Sequence, residues 1–392
     1  MHRTRKSKTK PVRRSRLRST ARVVSLALFA MVGSVPTAQA DPIEVLLLGD
    51  TSFGENYHDR LASEGREPVL RTRGYGYMIA NFAPILAEAD FAIANLETPI
   101  TDRFPSPFAG EKTYIHYADI EHTPEQLARH GIDVVSLANN HAFDFGAAGL
   151  EQTEDLLRAH GIAPCGAGAN IAAARAPVVH SFDTDARTVT IAILCMFERR
   201  DSYAETYAFY AGQDRPGTFG LDPSAVAQII ERLRGQHEDL FVIAFPHWGR
   251  NYRRATGAQR EQARALVAAG VDLVVGHGAH VFQEVEIVDG TPVVFGLGNF
   301  VFGSPGRYAK ERAHPYSLIG ALHLSPAGSA RRAFSLRLYP VFSDNRQTAY
   351  QPRFVSDPEF LEVIELLTSP PAAPRFFTGR DARGWYLEPE IP

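Results

Sequence analysis

Ile43-Glu44-Val45-Leu46-Leu47-Leu48, running straight into Gly49-Asp50-Thr51-Ser52-Phe53-Gly54, is the stretch on which the fold turns. A short apolar run followed at once by Gly and Asp reads as a buried strand whose C-terminal end carries a carboxylate. The arrangement recurs four times. Residues 91–94 lead into Asn95-Leu96-Glu97-Thr98-Pro99, and residues 134–137 into Ala138-Asn139-Asn140-His141-Ala142-Phe143-Asp144. Residues 240–245 lead into Pro246-His247-Trp248-Gly249, and residues 271–275 into Gly276-His277-Gly278-Ala279-His280. Five strands thus deliver Asp, Glu, Asn and His to one expected edge, where open α/β sheets keep their sites.

Between these runs the apolar spacing predicts helices over residues 81–89, 124–130, 150–160, 223–234 and 258–269, several followed by Gly as a stop. A further apolar strand is expected at 189–194. After Gly276 the pattern changes to a hairpin, 285–288 and 292–296 about Asp289-Gly290, with antiparallel strands expected at 317–324 and 334–340. The fold class expected is α/β: two mixed sheets flanked by helices, an α-β-β-α sandwich. One domain is expected over residues 41–340, with residues 341–392, rich in Pro and Arg, as a C-terminal extension packing on it.

The chain has 392 residues, 45% hydrophobic and 22% charged, which excludes disorder and coiled coil as whole-chain descriptions. Its net charge of −3 hides an asymmetry. Residues 1–40 hold ten of the 41 Lys and Arg and no acid, so the rest carries 31 bases against 44 acids, about −13. Such a surface repels polyanions on average, so nucleic acid is not an expected partner.

The basic start, the apolar stretch near 21–35 and Ala38-Gln39-Ala40 have the order of a signal peptide cut before Asp41. The apolar run is about fifteen residues against the roughly 20 that a spanning helix needs, leaving an uncleaved anchor as the alternative. The expected location is therefore outside the cytoplasm, in the periplasm, at the cell surface or secreted. Export would permit Cys165 and Cys195 to pair, although Cys195 in its apolar strand reads equally as a small buried hydrophobe.

Carboxylate, amide and imidazole together suit Zn, Mn or Fe rather than Ca or structural Mg. Each motif alone is weak, since Gly-Asp after a strand is common, Asn-Asn is often a turn and a lone His is more often structural. Their joint placement on five strand ends points to a divalent metal site with one or two ions.

The runs Ala94-Asn95-Leu96-Glu97-Thr98-Pro99-Ile100, Ser136-Leu137-Ala138-Asn139-Asn140-His141, His247-Trp248-Gly249, Gly276-His277-Gly278-Ala279-His280-Val281 and Gly296-Leu297-Gly298-Asn299-Phe300 resemble those of the CapA family. That family, the poly-γ-glutamate capsule synthesis proteins, is a branch of the calcineurin-like metallophosphoesterase superfamily, and the similarity spans about residues 43–302. The resemblance implies a metallophosphatase-like sandwich. It implies Asp50 as the first-strand ligand, Glu97 as the carboxylate bridging two metals, and Asn140 as the amide ligand. It makes His247, His277 and His280 further ligands and His141 the acid for a leaving group, with Asp144 three residues on to orient it.

Four positions depart from the family pattern. Ser52 stands where related phosphatases carry a His, Gly278 where many members have a third His, and Asn251 where a Glu often follows His-Trp-Gly. The Gly-Asp-x-x-Asp bridging Asp is missing, so Asn95 or Glu97 must replace it. Three readings of function follow. The chain is a metal-dependent hydrolase or transferase acting on an anionic envelope or capsule polymer, poly-γ-glutamate among them, or an accessory protein for polymer assembly alongside capsule-synthesis membrane proteins. A metal-dependent peptide epimerase is the third.

Overall fold

Along the strand Ile43–Ser52, Val45 and Leu47 face one way and Leu46 and Leu48 the other, and both faces are buried. Burial on both faces is why the sequence reads as a continuous apolar run and not as an alternation. The computed structural model describes residues 42–326 and 333–392. The signal peptide expected at 1–40 lies outside the described residues.

Among the described residues, the strands form a ten-stranded sheet, a six-stranded sheet and one two-stranded pair. In the larger sheet Ile43–Ser52, Phe91–Leu96, Val134–Ser136 and Ala163–Cys165 run parallel in that order. The other edge is antiparallel, with Tyr316–Leu324 beside Ile43–Ser52 and Phe334–Phe342 next. The smaller sheet orders Val285–Val288, Thr291–Val294, Leu273–Val275, Leu240–His247, Thr188–Phe197 and Val178–Asp183, parallel at its centre and antiparallel at both ends. Both sheets are mixed.

The layers follow from which residues meet. Val45, Leu47 and Ile93 of the larger sheet pack on Ile193, Ile243 and Leu273 of the smaller, so one core lies between the sheets. Leu46, Leu48 and Ala94 pack outward on Phe82, Ile85, Leu127 and Leu157, from the helical segments that follow the first, second and third strands. Ala192, Leu194 and Val242 pack outward on Val226, Ile229 and Leu266 of the helices Pro223–Arg234 and Gly257–Ala268. The result is helix, sheet, sheet, helix. Each buried aliphatic side chain contributes about 1.5–3 kcal/mol, so these three cores dominate the stability.

Local chemistry sets the ends of elements. Asp222 accepts from Ser224 and Ala225 backbone N–H groups to start Pro223–Arg234, and Thr256 with Gln259 forms a capping box before Gly257–Ala268. Asp289 and Gly290 both have positive φ, 47° and 81°, as a two-residue hairpin turn requires. Cys165 and Cys195 form a disulfide, Cα to Cα 5.7 Å, joining Ala163–Cys165 of one sheet to Thr188–Phe197 of the other.

The boundary expected at residue 340 falls inside the strand Phe334–Phe342. Beyond it, Gly384–Pro389 pairs with that same strand and Phe376–Asp381 pairs with Gly384–Pro389, so the tail extends the larger sheet. The helix Asp357–Thr368 sends Phe360, Val363 and Leu367 into the core between the sheets. These residues contribute strands and core side chains to the same compact unit.

Candidate metal centre

The first strand runs longer than its apolar stretch because Asn299–Phe302 pairs with its end, Asp50 opposite Asn299. The backbone at Gly49 passes so close to Gly298 that an added Cβ would lie 1.9 Å from the Gly298 carbonyl oxygen, which explains the glycine before the aspartate. That contact sets the end of the strand that carries Asp50. Its backbone N–H donates to the Gly298 carbonyl at 2.9 Å, and its side chain is fully buried.

Around Asp50 the strand ends converge. Asn95 Nδ2 donates to Asp50 Oδ1 at 2.9 Å, and the Gly278 N–H donates to Oδ2 at 3.1 Å. His277 Nδ1 lies 3.6 Å from Oδ1, His280 Nδ1 3.4 Å from Oδ2, and His247 Nδ1 4.0 Å from Oδ1. Glu97 completes the group, Oε1 3.9 Å from His247 Nε2 and Oε2 3.9 Å from His280 Nδ1. His247 and His277 bring their Nδ1 atoms within 3.0 Å of each other.

Two donor sets result: Asp50, His247 and His277, and Asp50, Glu97 and His280. Asp50 is common to both. Glu97, which the family resemblance implied as the bridging carboxylate, belongs to one set.

The electrostatics fit a cation. Taking one carboxylate out of water costs several kcal/mol even after relaxation, and here two are buried together. Burial opposes ionising Asp50, but hydrogen bonds from His277 and His280 and the charge of His280 outweigh it and hold the carboxyl far below its usual range. Burial first, and then the Asp50 charge, push Glu97 well above the ordinary value. Burial, with His277 beside it, pushes His247 well below its ordinary value. Glu97 Oε2 and His277 Nε2 are buried without a hydrogen-bond partner. Two mutually repelling carboxylates, three imidazoles and two orphaned polar atoms suit a divalent metal such as Mn, Zn or Fe.

Gly278, where the family resemblance implied room for a third His, lies against the His247 ring. Gly278 has φ +104°, and an added Cβ would sit 2.8 Å from His247 Cε1 and 2.9 Å from its Nε2. No side chain fits there with His247 in place. Ser52 is buried.

Asn140 stands apart from its expected role. Its side chain hydrogen-bonds Tyr203, and its carbonyl accepts from Lys112 Nζ at 2.7 Å. The amide at the centre is Asn95, which also lies 3.4 Å from His247 Nδ1 and whose Oδ1 accepts from Asn139 Nδ2 at 3.0 Å. Asn139 Oδ1 in turn accepts the backbone N–H groups of His141 and Ala142, so this residue sets the turn.

His141 and Asp144 form a dyad beside the centre, His141 Nδ1 2.7 Å from Asp144 Oδ2. The pair is buried, and Lys112, also buried, donates to Asp144 Oδ1 and lies 3.3 Å from His141 Nδ1. The His116 N–H donates to Asp144 Oδ2 at 2.8 Å, and its ring meets the His141 ring edge-on at 4.0 Å. Burial pushes the Asp144 carboxyl up to about 6 against the pull of Lys112. Burial and the Lys112 charge push His141 well below its ordinary value, so its imidazole is neutral near pH 7. Lys112 and His116 were not among the expected site residues.

Two other residues have supporting roles. Asn299 Oδ1 lies 3.0 Å from His280 Nδ1, and Asn299 Nδ2 donates to Tyr308 Oη at 3.0 Å, which holds the His280 ring. His280 itself takes φ +60°, a left-handed backbone that persists in a non-glycine residue only where its surroundings impose it. Trp248 is fully buried and donates to the Phe295 carbonyl, so its role is in the core.

A model of the family described as bacterial capsule synthesis protein PGA_cap matches residues 44–304, which include every residue of this centre. The chain belongs to this family. Among curated relatives it is 26% identical over 298 residues to "PGA biosynthesis protein CapA" of Bacillus subtilis (strain 168), covering 76% of this chain and 72% of the relative. It is 25% identical over 307 residues to "Capsule biosynthesis protein CapA" of Bacillus anthracis, covering 76% and 68%. A "Probable polyglutamine synthesis accessory protein" of Mycobacterium tuberculosis is 30% identical over 293 residues, covering 67% of this chain and 74% of the relative. A solved calcineurin-like phosphoesterase, YfkN of Bacillus subtilis, aligns with 72% of this chain and 85% of its own at 11% identity and TM-score 0.41.

Proposed function

We propose that this PGA_cap protein is an exported, metal-dependent hydrolase or transferase that acts on an anionic capsule or envelope polymer, with poly-γ-glutamate the leading substrate. The observation that carries this reading is the dyad beside the donor sets: His141 and Glu97 line the same cavity of about 310 Å³. A metal without an adjacent proton carrier needs only to hold a fold or a ligand. A metal with a neutral, carboxylate-oriented imidazole at its side has the parts for hydrolysis.

Asp50, His247 and His277 would hold one ion, and Asp50, Glu97 and His280 a second. A divalent metal supplies Lewis-acid polarisation and acidifies water from a pKa of 15.7 to about 7. The residues of the chain do the rest. Asp144 pairs with His141 Nδ1 and fixes the ring, leaving Nε2 to take or give a proton in the cavity. Lys112 neutralises Asp144 and so keeps the carboxylate from drawing the imidazole into its charged form. The Cys165–Cys195 disulfide supports the export part of the reading, because such bonds persist in oxidising compartments.

An accessory role without turnover is the second reading. Ser52, a hydroxyl where related phosphatases place a His ligand, is the observation in its favour. Turnover decides between the two. The purified mature protein, loaded with Mn, Zn or Fe, is assayed against phosphodiesters, phosphomonoesters and γ-glutamyl oligomers. Cleavage or transfer by the parent should fall about 10²–10⁴-fold in His141→Ala, the usual share of a general acid or base. Full activity in His141→Ala would remove its role, and metal held with no turnover of any substrate would select the accessory reading.

A further inference from the structure

The cavity whose inner wall carries Glu97, His141 and His280 has a different chemistry at its mouth: Arg307, Lys310 and Arg346 line it. Among the described residues none of the three makes an ion pair. They stand out by their place, at the mouth of one cavity in a chain whose residues beyond 40 carry about −13. Arg253 pairs with Glu311, Arg254 with Glu284, Arg353 with Glu359 and Arg383 with Glu44. Glu311, the neighbour of Lys310 in sequence, is thus taken by another cation.

Arg307 is held without a carboxylate. Its guanidinium lies 5.2 Å from the Tyr252 ring centroid and 6.0 Å from that of Tyr114, and its backbone N–H donates to Tyr252 Oη at 3.2 Å. Its side chain also hydrogen-bonds the Tyr252 phenol, so aromatic contacts and that bond hold the guanidinium in place, and a guanidinium has further N–H donors with which to meet a carboxylate. Tyr252, buried with φ +59°, touches the His280 ring at 5.6 Å on one side and Tyr308 at 5.3 Å on another. The cation at the mouth and the donor set at the floor therefore share one aromatic support. Arg307 and Lys310 come from one turn, the N-cap and body of the short helix Tyr308–Glu311, and Arg346 comes from the short helix Asn345–Thr348. Single cations spread along a cavity mouth match a chain of repeated single anions.

We infer that Arg307, Lys310 and Arg346 form a subsite that binds successive carboxylates of an extended polymer, holding the chain while one of its bonds lies at the cavity floor. This rests on the proposed polymer-processing function and adds to it the recognition of neighbouring repeat units. Arg307 is the central residue, and Arg346 and Lys310 follow the polymer outward.

Binding of γ-linked hexaglutamate to the mature protein tests it, by calorimetry, with tripolyphosphate as the competing anion and with metal content measured on each sample. Arg307→Gln should weaken hexaglutamate binding about 10- to 100-fold, the range for a lost charge-assisted contact, with metal content equal to the parent. Arg307→Lys should recover part of the loss, and added salt should weaken the parent more than Arg307→Gln. Hexaglutamate binding unchanged in both Arg307→Gln and Arg346→Gln would overturn the subsite. So would tripolyphosphate binding as tightly as hexaglutamate, or loss of metal together with binding in Arg307→Gln. A parent that binds hexaglutamate through Arg307 but holds no metal would leave the subsite standing and remove the metal centre instead.

Discussion

Asp50 and Gly278 show how single residues decide the centre. Asp50 is buried among three imidazoles because its strand end lies where the two sheets meet, and Gly278 gives His247 the space to face it. Gly278→Ala should therefore cost about 1–3 kcal/mol in unfolding free energy, from the strained backbone and the contact with the imidazole, and should lower metal content as His247 is displaced. Urea midpoints and metal analysis check this together; a variant equal to the parent in both would contradict the steric account. Residues of this kind were legible only in part. Asp50, Glu97, His247, His277 and His280 stood out because each follows a strand. Lys112 and His116 lie in an irregular segment with no period, and nothing local marks a lysine that will be buried against Asp144. Asn95 lies at the end of one strand and Asn140 follows another, and which of the two amides faces Asp50 depends on side-chain direction, which the sequence does not carry.

At the scale of elements, the central strands and the helices Pro223–Arg234 and Gly257–Ala268 could be read within a residue or two at most ends, because burial on one face or both writes itself into hydrophobic spacing. The strands Phe376–Asp381 and Gly384–Pro389 could not. They are half-exposed strands at the rim of the larger sheet, Phe376–Asp381 outermost, and they carry Arg, Gly and Pro, a composition that reads as an irregular tail. One contact locks this edge to the first strand: Glu44 Oε2 lies 2.9 Å from His323 Nε2 and accepts from Arg383 Nη1 at 2.7 Å. Burial alone would raise the Glu44 carboxyl, but the hydrogen bonds and charges of His323 and Arg383 hold it down at about 2. A carboxylate lowered on folding stabilises above its unfolded value of 4.5 and loses that contribution as pH falls from about 4.5 towards 2. The parent should thus exceed Glu44→Gln in stability near pH 6, with the gap closing on acidification. A gap independent of pH, measured by urea unfolding, would show that this contact does not lock the edge.

For the molecule as a whole, the two sheets meet with the C-terminal ends of their parallel strands on one side, and a disulfide ties Ala163–Cys165 of one to Thr188–Phe197 of the other. That arrangement turns four polar strand ends into one centre, places the His141–Asp144 dyad of a fifth beside it and sets cations without carboxylate partners at the mouth of the same cavity. The alternation of strands and helices made the two-sheet architecture legible, whereas the cation-lined mouth depends on loops far apart in the chain and has no local signature. The central claim is that Asp50, Glu97, His247, His277 and His280 hold a divalent metal. Elemental analysis of the purified mature protein beside His247→Ala and His141→Ala tests it most directly. The parent should contain one or two equivalents of Mn, Zn or Fe, His247→Ala clearly less, and His141→Ala as much as the parent. A parent free of divalent metal after loading, or equal loss in both variants, would contradict the account.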